Sequence, residues 1–174
     1  WDRKLDTFSL ANRDATSDGR WWSEAEPIWV TAQKQGLRTA TMFWPGTEAE
    51  IHGMRPDHWI PFDDSLTARQ RVDKLLSWID EPGTKPAFDT LYFDDVDHAG
   101  HEFGPDSAQV NDALRTVDDA LGYLVAELRR RGLYDTTNLV VVSDHGMADV
   151  PRGNIVFADE ETDLASLDAV SYGV

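Results

Sequence analysis

At 174 residues and 41% apolar, the chain is long enough to bury one hydrophobic core, so one domain or a large piece of one is expected. Its 32 acidic against 16 basic residues, a formal charge of −16, argue against a nucleic acid duplex or an anionic lipid surface held by a basic face. No stretch reaches the roughly 20 consecutive apolar residues of a membrane span, and without cysteine there are no disulfides, thiolate zinc sites or cysteine nucleophile.

The first 20 residues, with LANRDATSDGR, are polar and turn-rich and read as loop. Pro27 suits the first position of a short helix in PIWVTAQKQG, and Gly36 suits the residue just past its end. Residues 38–44, RTATMFW, are rich in strand formers and are cut off by Pro45-Gly46, so they read as a buried strand. Thr67 and Gln70 can form a capping box, and Val72, Leu75, Leu76 and Ile79 recur at helical spacing, which predicts an amphipathic helix over 67–80.

Residues 89–96, DTLYFDDV, read as a second strand, with the acidic sequence DHAGHEFGP following its end. From 106 to 131 apolar residues fall at Val110, Leu114, Val117, Leu121, Leu124 and Leu128, and Gly132 is placed as the residue that ends this long helix. The run NLVVVS, 138–143, reads as a parallel strand covered on both faces, stopping at Asp144-His145-Gly146. Alternating helices and strands predict an α/β fold with a doubly wound, mostly parallel sheet, whose ligands bind beyond the carboxyl ends of the strands.

Two constellations follow predicted strand ends: Asp97-His98-Ala99-Gly100-His101 and Asp144-His145. Carboxylate oxygen and imidazole nitrogen together suit zinc, and paired metal ions can clamp the attacking and leaving oxygens of a phosphoryl transfer. Either motif alone is more readily a helix cap or an ordinary turn than a metal site. Three of the five histidines, His98, His101 and His145, nevertheless gather at these two places. Asp95 and His98 are left out of the ligand set because neighbours in an extended segment point to opposite sides. His52 and His58 are read as surface loop residues. Trp29 and Trp44 are assigned to packing, Gly100 and Gly104 to a tight turn of the ligand loop, and Asp94 and Asp95 to support of the ligand imidazoles.

These residues carry a resemblance. VVSDHGM, preceded by the segment DHAGHEFGP, resembles the nucleotide pyrophosphatase/phosphodiesterase branch of the alkaline phosphatase superfamily, and FWPGTE, EPIW and the helix carrying AL-x-x-VD-x-A-x-G fit the same pattern. The resemblance implies hydrolysis of phosphodiester or pyrophosphate bonds in nucleotides, with two zinc ions as cofactors and a small-molecule nucleotide as partner. It places Asp97 and His101 on one ion and Asp144 and His145 on the other. Each ion needs further ligands, and the nucleophilic threonine and another aspartate come upstream of EPIW in the family. A further histidine follows SDHGM. None of the three is found here, so residues 1–174 are expected to be the middle of a catalytic domain, inactive alone, and Thr31, Thr39, Thr41 and Thr90 are not promoted to nucleophile. Tyr92 and Phe62 are the candidate aromatic contacts to substrate, with core packing the favoured alternative for each. Family habit places such a hydrolase in the periplasm or outside the cell. Alternatives are phospholipid, phosphomonoester or phosphonate substrates, or a degenerate domain that only binds.

Overall fold

A computed structural model describes residues 2, 4, 5, 7–151, 153 and 157. Its centre is a three-stranded parallel sheet in the order β2-β1-β3, built from β1 (Thr39–Met42), β2 (His58–Ile60) and β3 (Phe88–Leu91). The register pairs Ala40 with His58 and Asp89, and Met42 with Ile60 and Leu91. All four residues of β1 are buried, as a strand covered on both faces requires.

Among the described residues the α-helices are α1 (Arg13–Ser17), α2 (Ile28–Lys34), α3 (Ala68–Ile79), α4 (Asp95–Phe103) and α5 (Ala108–Arg130). On one sheet face Ala40, Met42 and Phe43 pack against Leu75 and Trp78 of α3. On the other, Trp29 and Val30 of α2 join Ala49, Ile51 and Phe88. A third cluster seals α3 to α5 through Ala68, Val72 and Leu76 against Ala120, Leu124 and Leu128. Helices on both faces of a parallel sheet are the α/β arrangement the sequence predicts.

The caps explain where the helices stop and start. Thr67 and Gln70 form the expected capping box on α3. Gly36 and Gly132 have φ of +80° and +67°, and each ends its helix by the same pair of bonds. Gly132 N donates to Arg129 O and Leu133 N to Leu128 O, just as Gly36 N donates to Gln33 O and Leu37 N to Ala32 O. Pro27 is the cap of α2 rather than its first residue.

Other expectations of secondary structure fail. The first 20 residues are not all loop: Asn12 accepts from Asp14 N and Ala15 N to start α1, and a 3-10 turn covers Gly19–Trp21. The strand expected over 89–96 ends at Leu91, and helix α4 begins at Asp95. Its apolar Val96, Ala99 and Phe103 follow helical spacing, and acidic residues in the first turn with His101 in the last complement the helix dipole. His58 lies in β2 with its ring stacked on Trp78 at 5.7 Å, rather than in a surface loop. Residues 138–143 form no strand; Val140, Val141 and Val142 are 78%, 67% and 67% exposed, because no described strand pairs with them.

Candidate metal centre at the end of the sheet

The helix that begins after β3 changes the geometry of the first motif. On α4, Asp97 and His101 are one turn apart on one face, and their Oδ1 and Nε2 atoms stand at 3.5 Å. His98 points elsewhere and pairs with Glu102 at 3.7 Å. His98 is thus turned away from Asp97 by helical geometry, and not by the strand alternation expected from the sequence.

The second motif reaches the same place from a turn. His145 Nε2 lies 3.9 Å from Asp97 Oδ1 and 3.5 Å from Asp144 Oδ2, so the two constellations share one small volume. Local bonds shape this turn: the Ser143 hydroxyl donates to His145 O, and His145 N donates to Asp144 Oδ1 at 3.1 Å. His145 Nδ1 is 3.1 Å from Gly146 O. A carbonyl can only accept, so this contact is a hydrogen bond when Nδ1 carries a proton, and it turns Nε2 toward the carboxylates. Second-partner hydrogen bonding of this kind is the usual way a ligating imidazole is oriented.

Met147 fastens the turn to the helix. Its side chain lies over Gly100, where an added Cβ would come within 2.3 Å of Sδ. Gly100 is thus a close-approach glycine inside α4 and not part of a turning loop, whereas Gly104, at φ +86°, does end the helix.

Asp97 Oδ1 is buried and has no hydrogen-bond donor, although two imidazole nitrogens face it. An orphaned carboxylate oxygen flanked by imidazole nitrogens fits a divalent cation. Among the described residues no three His, Asp or Glu side chains form an ion cage by themselves. Asp97, His101, Asp144 and His145 are the side chains that could supply part of a shell.

Tyr92 closes one side. Its main-chain N donates to Met42 O at 3.1 Å, extending the β1–β3 pairing. Burial raises the Tyr92 phenol above its ordinary pKa, and the carboxylates of Asp144, Asp94 and Asp97 push it the same way. Phe62 sits farther along, edge-to-face with Phe43 at 5.1 Å. Both its main-chain groups are held: N donates to Glu48 Oε1 at 2.7 Å, and O accepts from Arg13 Nη2 at 2.6 Å. Thr39, Thr41 and Thr90 are buried in the sheet, and Trp29 is a core residue, as expected. Asp94 does not reach an imidazole; it pairs with Arg71. Arg71 escaped the sequence reading, although a lone cation on the apolar face of Ala68, Val72 and Leu75 was a visible signal.

A family model described as type I phosphodiesterase / nucleotide pyrophosphatase matches residues 1–173. A bis(5'-adenosyl)-triphosphatase of Xenopus laevis is 37% identical over 141 residues, which are 80% of this chain and 31% of the relative. A venom phosphodiesterase of Naja atra is 42% identical over 149 residues, 84% of this chain and 18% of that protein. Murine ectonucleotide pyrophosphatase / phosphodiesterase 5 superposes with a TM-score of 0.88 at 32% identity, covering 98% of this chain and 46% of its own. An inactive threonine-to-alanine variant of that murine protein, in complex with AMP, superposes with the same TM-score of 0.88. The chain spans less than half the length of each of these proteins. With the match running through nearly every residue and the fold agreeing, the chain belongs to the type I phosphodiesterase / nucleotide pyrophosphatase family.

Proposed function

We propose that this chain is the central part of the catalytic domain of a metal-dependent hydrolase that cleaves phosphodiester or pyrophosphate bonds of nucleotides and releases nucleoside monophosphate. The observation that carries the reading is the convergence of the two Asp–His pairs on one sheet end, with His101 and His145 both facing Asp97 Oδ1 at 3.5 and 3.9 Å. AMP bound to a structural neighbour supports a nucleotide ligand of the same class.

Asp97 and His101 would hold one zinc ion, and Asp144 and His145 the other. When bound, the ions lower the pKa of the attacking oxygen and neutralise charge on the phosphoryl group. A chain with 32 acidic and 16 basic residues has few other means of doing so. The remaining ligands and the threonine nucleophile lie outside residues 1–174, and the inactive threonine-to-alanine neighbour supports that role for a threonine. Alone, the chain is inactive. Tyr92 and Phe62 border the substrate, where an aromatic face can take a nucleobase. The venom origin of a relative supports a periplasmic or extracellular setting.

The test uses the complete protein carrying this sequence. Wild type, D144A and H101A are compared on a p-nitrophenyl nucleotide diester and on p-nitrophenyl phosphate, with metal content measured in parallel. Diester activity is expected to fall more than ~100-fold in both variants, together with bound zinc. Unchanged diester turnover in both would remove these residues from the mechanism. A folded, zinc-loaded wild type that is inert on the diester but active on the monoester would move the substrate class.

A further inference from the structure

We propose that Arg71 is a positioning residue that fixes helix α4 and the aromatic side chains Phe43 and Phe62 in one relation at the sheet end; the proposal rests on the reading of Asp97 and His101 as ion ligands.

Among the described residues Arg71 is the one charged side chain in the buried class, with 3% of its surface exposed. A buried guanidinium is costly unless its charge and donors are engaged, and an apolar residue would serve α3 better if packing were the whole role. The partners show where the donors go. Nε donates to Leu66 O at 2.9 Å, in the loop before α3. Nη1 donates to Tyr92 O at 3.2 Å, just after β3, and to the Asp94 carboxylate. The guanidinium carbon lies 5.0 Å from the Phe43 ring and 5.9 Å from the Phe62 ring.

Asp94 is where this contact bears on the metal centre. It occupies the N-cap position of α4, yet its side chain makes no capping bond. Its carboxylate is given to Arg71 instead, so the entry of α4 is set by a residue of α3 and not by its own cap. Asp97 follows in the first turn and His101 one turn later. On the other flank Phe43, at the end of β1, has a φ of +62°, a left-handed conformation that a bulky residue holds only where its surroundings enforce it. Its neighbours include the Phe62 ring and Arg71.

One planar cation therefore touches the end of β1, the segment after β2, the loop before α3 and the junction between β3 and α4. Arginine can do this because its donors form a rigid fork; lysine has the charge without the fork. Loss of the fork is expected to loosen α4 relative to the turn carrying Asp144 and His145, and so to weaken the hold on the ions.

The test is made on the complete protein, with Arg71→Lys, Asp94→Asn and the exposed-surface control Arg115→Ala. Folding is checked by circular dichroism and thermal melting, zinc affinity by competition with a chelator, and kcat and KM on the nucleotide diester. Arg71→Lys is expected to stay folded, lose at least ~10-fold in zinc affinity, and recover kcat in excess zinc, as loss of an outer support should. Asp94→Asn is expected to move the same quantities in the same direction, and adding it to Arg71→Lys should cost little more. Wild-type zinc affinity and kcat in folded Arg71→Lys would overturn the proposal, as would a lowered melting temperature without a change in zinc affinity. If Arg71→Lys does not fold, Asp94→Asn is judged by the same criteria. Asp97→Ala and His101→Ala are run alongside: wild-type zinc affinity in those two would sink the ligand reading itself, a result distinct from failure of Arg71 alone.

Discussion

Gly100→Ala separates stability from site geometry. In a helix interior alanine is favoured over glycine by about 1 kcal/mol. Against this, the new Cβ would sit 2.3 Å from Met147 Sδ and 3.0 Å from its Cε. An ordinary contact is about 3.5 to 4 Å, so the thioether must retreat by roughly 1.5 Å. Methionine has the rotamers to do so, and surrendering the contacts of a half-buried side chain costs on the order of 1 kcal/mol. The two effects nearly cancel. The melting temperature should therefore stay within about 3 °C of wild type, while the turn carrying Asp144 and His145 is displaced from α4. Zinc affinity and diester turnover of the complete protein should each fall about tenfold. Adding Met147→Ala clears the clash, and partial recovery in the double variant would give a coupling of about 1 kcal/mol. Wild-type zinc affinity and turnover in Gly100→Ala would refute the view that this contact seats the turn.

Two further predictions concern the scaffold. Leu76 is 2% exposed at the centre of the α3–α5 cluster, so Leu76→Ala should lower unfolding free energy by about 3 kcal/mol, read from the shift of the urea midpoint. Glu127 is held down to about 2 by its bonds to Arg130 and then Arg131, against an ordinary value of 4.5. A depressed carboxyl contributes stability above its unfolded pKa and loses it as pH falls toward the folded value. The stability difference between wild type and Glu127→Gln should be full at pH 6 and shrink steadily between about pH 4.5 and 2; a difference independent of pH would remove this ion pair from the acid response.

The sequence was most legible where one pattern dominated. Thr67 and Gln70 announced the start of α3, Gly132 the end of α5, and PIWVTAQKQG was helical, because caps and apolar spacing act locally. The run from Asp94 to Phe103 misled because it read as strand to Val96 and as a ligand loop beyond, although Val96, Ala99 and Phe103 already had helical spacing. NLVVVS misled in a different way. Its composition asks for strand neighbours on both edges, and the described residues bring none to it. Asp97, His101, Asp144 and His145 were all named from sequence, and they do share one volume. Arg71 was missed because its partners Leu66, Tyr92 and Asp94 lie up to 23 positions away in sequence, a relation no local pattern encodes.

The two halves of the candidate centre are held by different means, and that difference has consequences. Asp97 and His101 ride on a helix whose entry is pinned by a buried guanidinium, so their mutual spacing is fixed before any ligand arrives. Asp144 and His145 ride on a turn that follows an exposed apolar segment and is tied down by the Ser143 hydroxyl, the imidazole–carbonyl contact and Met147 on Gly100. Beside them stand the orphaned Oδ1 of Asp97 and a phenol whose ionisation is opposed by burial and three carboxylates. Arg71 is already engaged with Asp94 and two main-chain carbonyls. Negative charge thus accumulates where the turn must settle against the helix, and a divalent cation between them would relieve it. A divalent cation bound there would do structural work as well as chemistry, by joining the half carried on the helix to the half carried on the turn.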